Sequence, residues 1–242
     1  MAEKFSAQEL LARWEEVREI KNLMGRLSAD YLMKKDADIF QKYWSRREDV
    51  CLGVNDGWYD GAGAVAAYYD SCYKLIELES SLLQKAFPKE LGGLSAQEVY
   101  GVGLLNYKPV DTPVIEVADD FQTAKGIWCI RGSHARLTSG GPVAYWEWGW
   151  FAVDFIMEDE QWKIWHMQYL VDICRPCGEP WTGSEKVYSE RPEFAAIKSF
   201  EPAKPNRPCV LHAHFSAYRP YTASPRLPEP YATFADTFSY GI

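Results

Sequence analysis

The chain has 242 residues, 47% of them hydrophobic, which is enough apolar material for one large domain or a domain with an extension. A formal net charge of -8 argues against binding to nucleic acid, because phosphate affinity requires a basic surface. No apolar run approaches the roughly 20 residues of a membrane span, and the first residues lack a signal-peptide pattern. We therefore expect a cytoplasmic protein without membrane partners.

The N-terminal part of the chain has the periodicity of helices. Ser6 and Glu9 have the spacing of a capping box, and apolar residues then recur every three or four positions to about residue 35. A shorter second helix, capped by Asp36 or Asp38, is expected to end at Tyr43.

The middle of the chain alternates between strand and helix signals. A strand is predicted at residues 50–54 and a helix from 63 to about 86. A second capping box spans residues 95–98, and strands are predicted at 112–117 and 123–137. Helices that precede a run of antiparallel strands indicate an α+β fold.

The most informative segment is an aromatic hairpin. Residues 145–157 and 162–174 read as two long strands joined by a tight turn at Asp159 and Glu160. Both strands are apolar on both faces, so each face must be covered. We expect one face to close over helices and a pocket, and the other to be covered by a partner subunit or a returning tail.

The predicted hairpin register assigns His166 to the pocket if its face of the sheet is the concave one. Counting back from the turn, Val153 lies opposite His166 and Phe151 opposite Gln168. These side chains then share one face, with Gln168 as a polar neighbour of the histidine. Burial would keep His166 neutral and able to accept a proton, although a lone strand histidine is also a common core residue.

Other candidate site residues lie on the predicted helices and loops. Tyr31 continues the apolar stripe of the first helix, so its ring should point inward, as either a site residue or a core residue. Asp36, just beyond it, is a site residue or simply a helix cap. Trp58 and Tyr59 follow a turn, where aromatic residues line pocket mouths or lie exposed.

The strand before the hairpin offers a further set. Trp128, Ile130 and His134 share one face, whereas Arg131 lies on the other and could hold an oxyanion only if that face were the concave one. Ten tryptophans suggest a pocket for a flat ligand, with packing as the alternative explanation for most of them.

The six cysteines do not have the density of a disulfide scaffold. Cys174 and Cys177 form a single Cys-Arg-Pro-Cys, and further ligands would have to come from the remote Cys209, His212 and His214. We therefore expect structural thiols, with no metal and no cofactor.

The composition changes after residue 174. Ten of the fourteen prolines lie from Pro176 onward, interleaved with aromatic residues. Proline at this density blocks helices and central strands, whereas the aromatic residues argue against a free tail. We predict a domain at 1–174 and an extended arm at 175–242 that packs on this domain or on a neighbouring subunit.

Residues 8–174 resemble the SnoaL-like branch of the nuclear transport factor 2-like superfamily. The likeness lies in the order of elements and in local patterns: Tyr31-Leu-Met-Lys-Lys-Asp36, Ala124-Lys-Gly-Ile-Trp128, Asp154-Phe-Ile-Met157 and Trp162-Lys-Ile-Trp-His166. The resemblance implies a cone of curved antiparallel sheet closed by helices, a deep apolar cavity, catalysis without a cofactor, and a homodimer or higher homo-oligomer formed across the outer sheet face.

Tyr31 and Asp36 are similar in type and spacing to the tyrosine and aspartate of the bile-acid dehydratases in this superfamily. Where those enzymes have a histidine before the Thr-Pro of the next strand, this chain has Asp111, which is a departure from a simple bile-acid dehydratase. The aromatic content and the long arm are more similar to the lyases of lignin-derived diarylpropane diols, which lose a benzylic hydroxyl and release formaldehyde.

The sequence and these resemblances thus predict a cofactor-free lyase for a hydroxylated aromatic small molecule. Such an enzyme would act in the catabolism of aromatic compounds. His166 or Asp36 would be the base, Tyr31 or Tyr59 would protonate or hydrogen-bond the departing hydroxyl, and tryptophans would hold the ring system and exclude water. The alternatives are a dehydratase, isomerase or cyclase for a steroid- or polyketide-like substrate, and a binding module without catalysis.

Overall fold

A computed structural model describes residues 5–55, 57–138, 140–180, 182, 200–209, 215–218, 220 and 225–241. Helices lead the chain and pack against a curved, unclosed sheet, so the predicted α+β class with a cone-like sheet is confirmed. Within the described residues, no helix has the length and apolar character needed to cross a bilayer.

The helices follow the predicted pattern closely. Both capping boxes form, at Ser6 with Glu9 and at Ser95 with Glu98. The second helix begins at Asp36 itself without any side-chain capping bond, so the expectation that Asp36 or Asp38 caps it is wrong. The helices are α1 (Ala7–Leu32), α2 (Asp36–Tyr43), α3 (Ala62–Ala86) and α4 (Ala96–Val99), followed near the C-terminus by a short 3₁₀ helix (Phe234–Asp236).

The strands form a sheet in the order β2-β1-β7-β6-β5-β3, with β4 also paired to β5. All pairings are antiparallel except that of β1 with β7. The strands are β1 (Cys51–Val54), β2 (Gly57–Asp60), β3 (Leu105–Tyr107), β4 (Val110–Val117), β5 (Thr123–Thr138), β6 (Gly141–Glu158) and β7 (Gln161–Pro176).

The β6–β7 hairpin has the predicted tight turn but a different register. Asp159 and Glu160 have φ values of 48° and 58°, as a type I′ turn requires, and Phe155 pairs with Ile164 as expected. The register then shifts, because Trp165 is an extra residue in a β-bulge and Asp154 pairs with His166.

From the bulge to a second register shift beyond Val171, the side chains of β7 lie on the face opposite to the predicted one. Val153 pairs with Met167 instead of His166, and Phe151 pairs with Tyr169 instead of Gln168. The predicted pairs are therefore wrong beyond the bulge, and so is the face assigned to His166 and Gln168.

The two faces of the sheet are covered by different parts of the chain. The concave face packs against α1, α2 and α3 around a core that contains Met24, Tyr31, Phe151 and Met167. On the outer face, residues from the C-terminal end of the chain lie over β5 and β6, where Tyr240 packs with Ile127 and Ala152. The association of the arm with a neighbouring subunit stays a prediction.

An earlier part of the arm protects the edge strand β2. The amide of Trp58 donates to the carbonyl of Arg207, and the amide of Asn206 donates to the carbonyl of Trp58. The guanidinium of Arg207 also pairs with Asp60 at 3.0 Å. This segment occupies backbone groups of β2 that would otherwise be open to another chain.

Candidate active site

The junction between α1 and α2 brings two polar side chains to the concave face. Lys34 adopts a left-handed conformation with φ of 59°, and the amide of Lys35 bonds back to the carbonyl of Asp30, which ends α1. The chain then enters α2 at Asp36, five residues after Tyr31. Both Tyr31 and Asp36 are buried, at 8% and 5% exposure.

Asp36 is a buried carboxyl group whose contacts with the protein do not offset the loss of water around it. Its Oδ2 atom has no hydrogen-bond partner among the described residues. Burial raises the pKa of Asp36 from its ordinary value of 3.8 to about 6, although the positive charge of Lys108 and a backbone hydrogen bond oppose the shift. A carboxyl group with this pKa can both accept and release a proton near neutral pH.

The buried charge of Asp36 should cost stability, so we expect Asp36→Asn to be more stable than wild type by about 3 kcal/mol at about pH 8. Because the folded-state pKa is raised, the wild-type protein loses this stability as pH rises through about 6. The gain should disappear at about pH 4, where the carboxyl group is protonated. Urea unfolding at both pH values measures it, and an equal gain at both would contradict the origin in Asp36 ionisation.

Tyr31 belongs to a short chain of buried donors. Its hydroxyl lies 3.2 Å from that of Tyr69, and the indole nitrogen of Trp44 donates to the Tyr69 hydroxyl at 3.3 Å. Either hydroxyl of the Tyr31–Tyr69 pair can be the donor. A ligand oxygen that accepts the Tyr31 proton requires the arrangement in which Tyr69 donates to Tyr31. Burial raises the pKa of Tyr31 well above its usual value, and the neighbouring tyrosines and Asp36 add to this effect.

A second polar cluster lies further along the concave face. Lys108, in the loop between β3 and β4, lies 2.6 Å from the hydroxyl of Tyr169 and 3.0 Å from Glu147. The Tyr169 hydroxyl also donates to Glu147, and His134 lies 2.9 Å from the other carboxylate oxygen. Burial alone would raise the pKa of Glu147, but Lys108, His134 and Tyr169 outweigh it and hold that pKa well below its usual range.

This second cluster connects to the first through Lys108. Its ammonium group lies 5.6 Å from the centre of the Tyr31 ring and 4.3 Å from that of Tyr169. Its charge also lowers the pKa of Asp36 against the effect of burial. The concave face therefore holds a weakly acidic carboxyl group, a buried phenol and a fixed cation close together.

Six of the residues selected from sequence lie on the concave face: Tyr31, Asp36, Tyr59, Trp128, His134 and Phe151. The ring of Phe151 is parallel to that of Tyr31, with centroids 6.4 Å apart. Tyr59 donates its hydroxyl proton to the carbonyl of Ala203, so that proton is already engaged. The predicted common face of Trp128 and His134, opposite to Arg131, is confirmed.

His166 lies on the outer face and does not share an interior with Tyr31, contrary to the sequence prediction. Its Nδ1 atom faces the carboxylate of Asp154 at 2.9 Å, and its Nε2 atom faces the carbonyl of Asp49 at 3.2 Å. Both ring nitrogens therefore face oxygen atoms of the protein on the outer side of the sheet. The bulge at Trp165 is the physical reason for the change of face.

The remaining selected residues are on the outer face as well. Gln168 donates to the carbonyl of Tyr240, and Trp58 is buried under the guanidinium of Arg207 at 4.3 Å. Arg131 is largely exposed and pairs with Asp111 at 3.0 Å, so neither member of that pair reaches the interior. These positions do not support the predicted substrate-binding roles of Trp58, Arg131 and Gln168.

Sequence reasoning missed Lys108, Glu147 and Tyr169 in the interior. The sequence contains a signal for Glu147. It lies four residues before Phe151 in the aromatic strand, so the two side chains share a face, and a carboxylate on an apolar face is unusual. Lys108 lies in a loop that carries no motif. Cys174, which was considered only with Cys177, lies instead near His134 and Glu147.

Comparison with known proteins agrees with this architecture at the level of the superfamily. Residues 93–168 match the model of the SnoaL-like domain, a segment shorter than half the chain that contains Lys108, His134 and Glu147. This part of the chain is therefore similar to a SnoaL-like domain. No curated protein matches the sequence.

Several solved structures are similar in fold at low sequence identity. Rv3472 from Mycobacterium tuberculosis, described as of unknown function, has 15% identity and a TM-score of 0.48, with 78% of this chain and 87% of that chain covered. An NTF2-like protein from Novosphingobium aromaticivorans has 15% identity and a TM-score of 0.42, covering 70% and 92%. Hexachlorocyclohexane dehydrochlorinase LinA-type3 from Novosphingobium barchaimii has 12% identity and a TM-score of 0.44, covering 75% and 99%.

Proposed function

We propose that the protein is a cofactor-free lyase that acts on a hydroxylated aromatic small molecule, with Asp36 as the base and Tyr31 as the acid. The observation that supports this most directly is the buried Asp36, whose pKa is about 6, at the start of the helix that follows Tyr31 and its hydrogen-bonded neighbours. A base with a pKa close to the working pH is efficient in proton transfer.

The surroundings of this pair favour a flat ligand. Tyr31, Tyr68, Tyr69, Phe151 and Tyr169 contribute rings to the concave face, and the core around them is apolar. Aromatic rings bind other rings by stacking or edge contacts, and an apolar interior strengthens each polar contact to the substrate. Lys108 would stabilise negative charge on a substrate oxygen such as a phenolate.

A phenolic diarylpropane diol is the substrate that we propose first. Asp36 accepts the phenol proton, Tyr31 gives its proton to the benzylic hydroxyl, and water leaves to form a quinone methide. The oxygen of Tyr31 then takes the proton of the hydroxymethyl group as the carbon–carbon bond breaks and formaldehyde departs. The electron pair returns to the ring, Asp36 returns its proton to the phenolate, and a stilbene is released.

Tyr31 and His166 lie on opposite faces of the sheet, so substitutions of these two residues test which face holds the active site. Tyr31→Phe should lower kcat by about a hundred- to ten-thousandfold, because it removes the proton donor. His166→Gln should leave kcat within a fewfold of wild type and lower only the unfolding temperature, since His166 bonds to Asp154 on the outer face. Turnover of a phenolic diarylpropane diol is followed by stilbene absorbance and formaldehyde release, with circular dichroism as the check on folding.

The reverse ranking of these two variants would overturn the assignment of the site to the concave face. Product mass separates the alternatives, because an isomerase conserves the mass of the substrate whereas a lyase does not. Binding of the diol without turnover at any pH would indicate a carrier and would contradict the proposed lyase.

A further inference from the structure

Three adjacent strands bring together a set of side chains whose chemistry the proposed lyase does not require. Glu147 on β6 is paired directly with Cys174 on β7, and on the other side it is paired with Gly132 of β5, two residues before His134. Directly opposed and diagonal neighbours on one face of a sheet lie within reach of each other. The ligand atoms of His134, Glu147 and Cys174 accordingly all lie within 4.8 Å of one another.

The chemistry of the three donors suits a thiophilic divalent cation. Zinc is bound by imidazole nitrogen, thiolate sulfur and carboxylate oxygen, and catalytic zinc sites have three protein ligands. Glu147 lies 3.0 Å from Lys108 and accepts a hydrogen bond from Tyr169, and both contacts favour the ionised carboxylate. His134 and Glu147 are buried, which shields the donors from competing water.

The Glu147 carboxylate also contacts residues that are not proposed as ligands, as ligating carboxylates in metal sites commonly do. Tyr169 donates to Oε1 of Glu147 and Lys108 lies 3.0 Å from the same atom, whereas Oε2 lies 2.9 Å from Nδ1 of His134. A cation placed between His134 and Oε2 would therefore leave both supporting contacts in position. The charge of Lys108 opposes the cation, and the carboxylate together with a Cys174 thiolate offsets it.

We propose that His134, Glu147 and Cys174 bind a divalent cation of the zinc type. Binding releases the thiol proton of Cys174 and requires the Nδ1 lone pair of His134, so the affinity should rise with pH. The proposal does not rest on the lyase assignment, because none of the three ligands takes part in the proton transfers assigned to Asp36 and Tyr31. Lys108 is a side chain that the two sites share.

Titration of the chelator-treated full chain with Co²⁺ tests the site without any substrate. Saturation by a single Co²⁺ per chain should produce a thiolate-to-Co²⁺ charge-transfer band in the near ultraviolet, and Zn²⁺ should remove this band by displacement. Cys174→Ser should abolish the band. Cys177→Ser is the matched control, because Cys177 is exposed and belongs to the same Cys-Arg-Pro-Cys, and this variant should keep the band.

Two further variants separate ligation from a general loss of structure. His134→Gln should weaken Co²⁺ binding by removing a ligand, and Tyr169→Phe should weaken it by about ten- to a hundredfold through loss of support for Glu147. Far-ultraviolet circular dichroism confirms that each variant is folded. Absence of a charge-transfer band in the wild-type protein, or a band that is retained in Cys174→Ser, would overturn the proposal.

Discussion

Replacing Asp36 by asparagine is expected to lower kcat by about a hundred- to ten-thousandfold, because the amide cannot accept the substrate proton. The same variant should be more stable than wild type at alkaline pH, since the buried carboxylate is costly to ionise. Loss of activity together with a gain in stability is the combination typical of a functional residue, and a merely structural role would not produce it. Stilbene and formaldehyde formation from a phenolic diarylpropane diol, with urea unfolding, measures both.

The matched control is Asp38→Asn, two residues further along α2, where the side chain is 60% exposed. This variant should have wild-type kcat. In the wild-type protein, kcat/KM should fall as pH drops through about 6, since only the ionised form of Asp36 acts as a base. A rate that is independent of pH across this range, or equal losses in both variants, would contradict the role of Asp36.

The local parts of the fold could be predicted from the sequence because their determinants are close together in the chain. The capping boxes at Ser6 and Ser95 use a side chain and a carboxylate three residues apart, and both form. The hairpin turn at Asp159 and Glu160 likewise depends on two residues. Such signals do not require knowledge of tertiary neighbours.

The assignment of His166 failed because an uninterrupted register was assumed for β7. Side chains alternate between faces, so the extra residue at Trp165 exchanges the faces of the residues that follow it, up to a second register shift beyond Val171. The apolar pattern did not reveal the error, because both faces of this strand are buried and Met167 and Gln168 are equally compatible with either. Two-sided burial removes the polar alternation that normally fixes the register.

The interior cluster was only partly predictable for a different reason. Glu147, His134 and Cys174 meet through the pairing of three strands, and their spacing in the sequence matches no metal or catalytic motif. Lys108 joins them from a loop, where neither a helical nor a strand period constrains the side chain. Tyr31 and Asp36 were selected because they are close together in the sequence at a helix end and are similar in type and spacing to a pair in the bile-acid dehydratases.

The outer face that holds His166 has a structural role, which explains why a group of ionisable residues lies there without access to the interior. Lys125 and Asp154 form a fully buried ion pair at 2.5 Å. Rings of the C-terminal segment surround the ammonium group, with Phe234 and Phe238 centred at 4.6 and 4.7 Å. Burial lowers the pKa of Lys125, whereas Asp154 opposes this shift. The ion pair therefore stabilises the packing of the C-terminal segment on the sheet through these ring contacts.

Removing one member of this pair should therefore be strongly destabilising. We expect Asp154→Ala to lower the free energy of unfolding by about 3–5 kcal/mol, the loss typical when one partner of a buried ion pair is removed, because Lys125 is left as an uncompensated buried charge. Asp154 also accepts hydrogen bonds from the hydroxyl of Ser239 and the amide of Tyr240, so the C-terminal segment should loosen in the same variant. Urea unfolding measures the stability, and limited proteolysis reports on the C-terminal segment.

The double variant Lys125→Met with Asp154→Leu provides the control. Apolar replacement of both partners of a buried ion pair is often neutral or stabilising, so this variant should recover most of the stability that Asp154→Ala loses. Since the pair lies on the outer face, kcat should stay close to wild type once the protein is folded. A double variant as unstable as Asp154→Ala would show that the contacts to Ser239 and Tyr240 dominate, and a loss below about 1 kcal/mol in Asp154→Ala would contradict the burial of the pair.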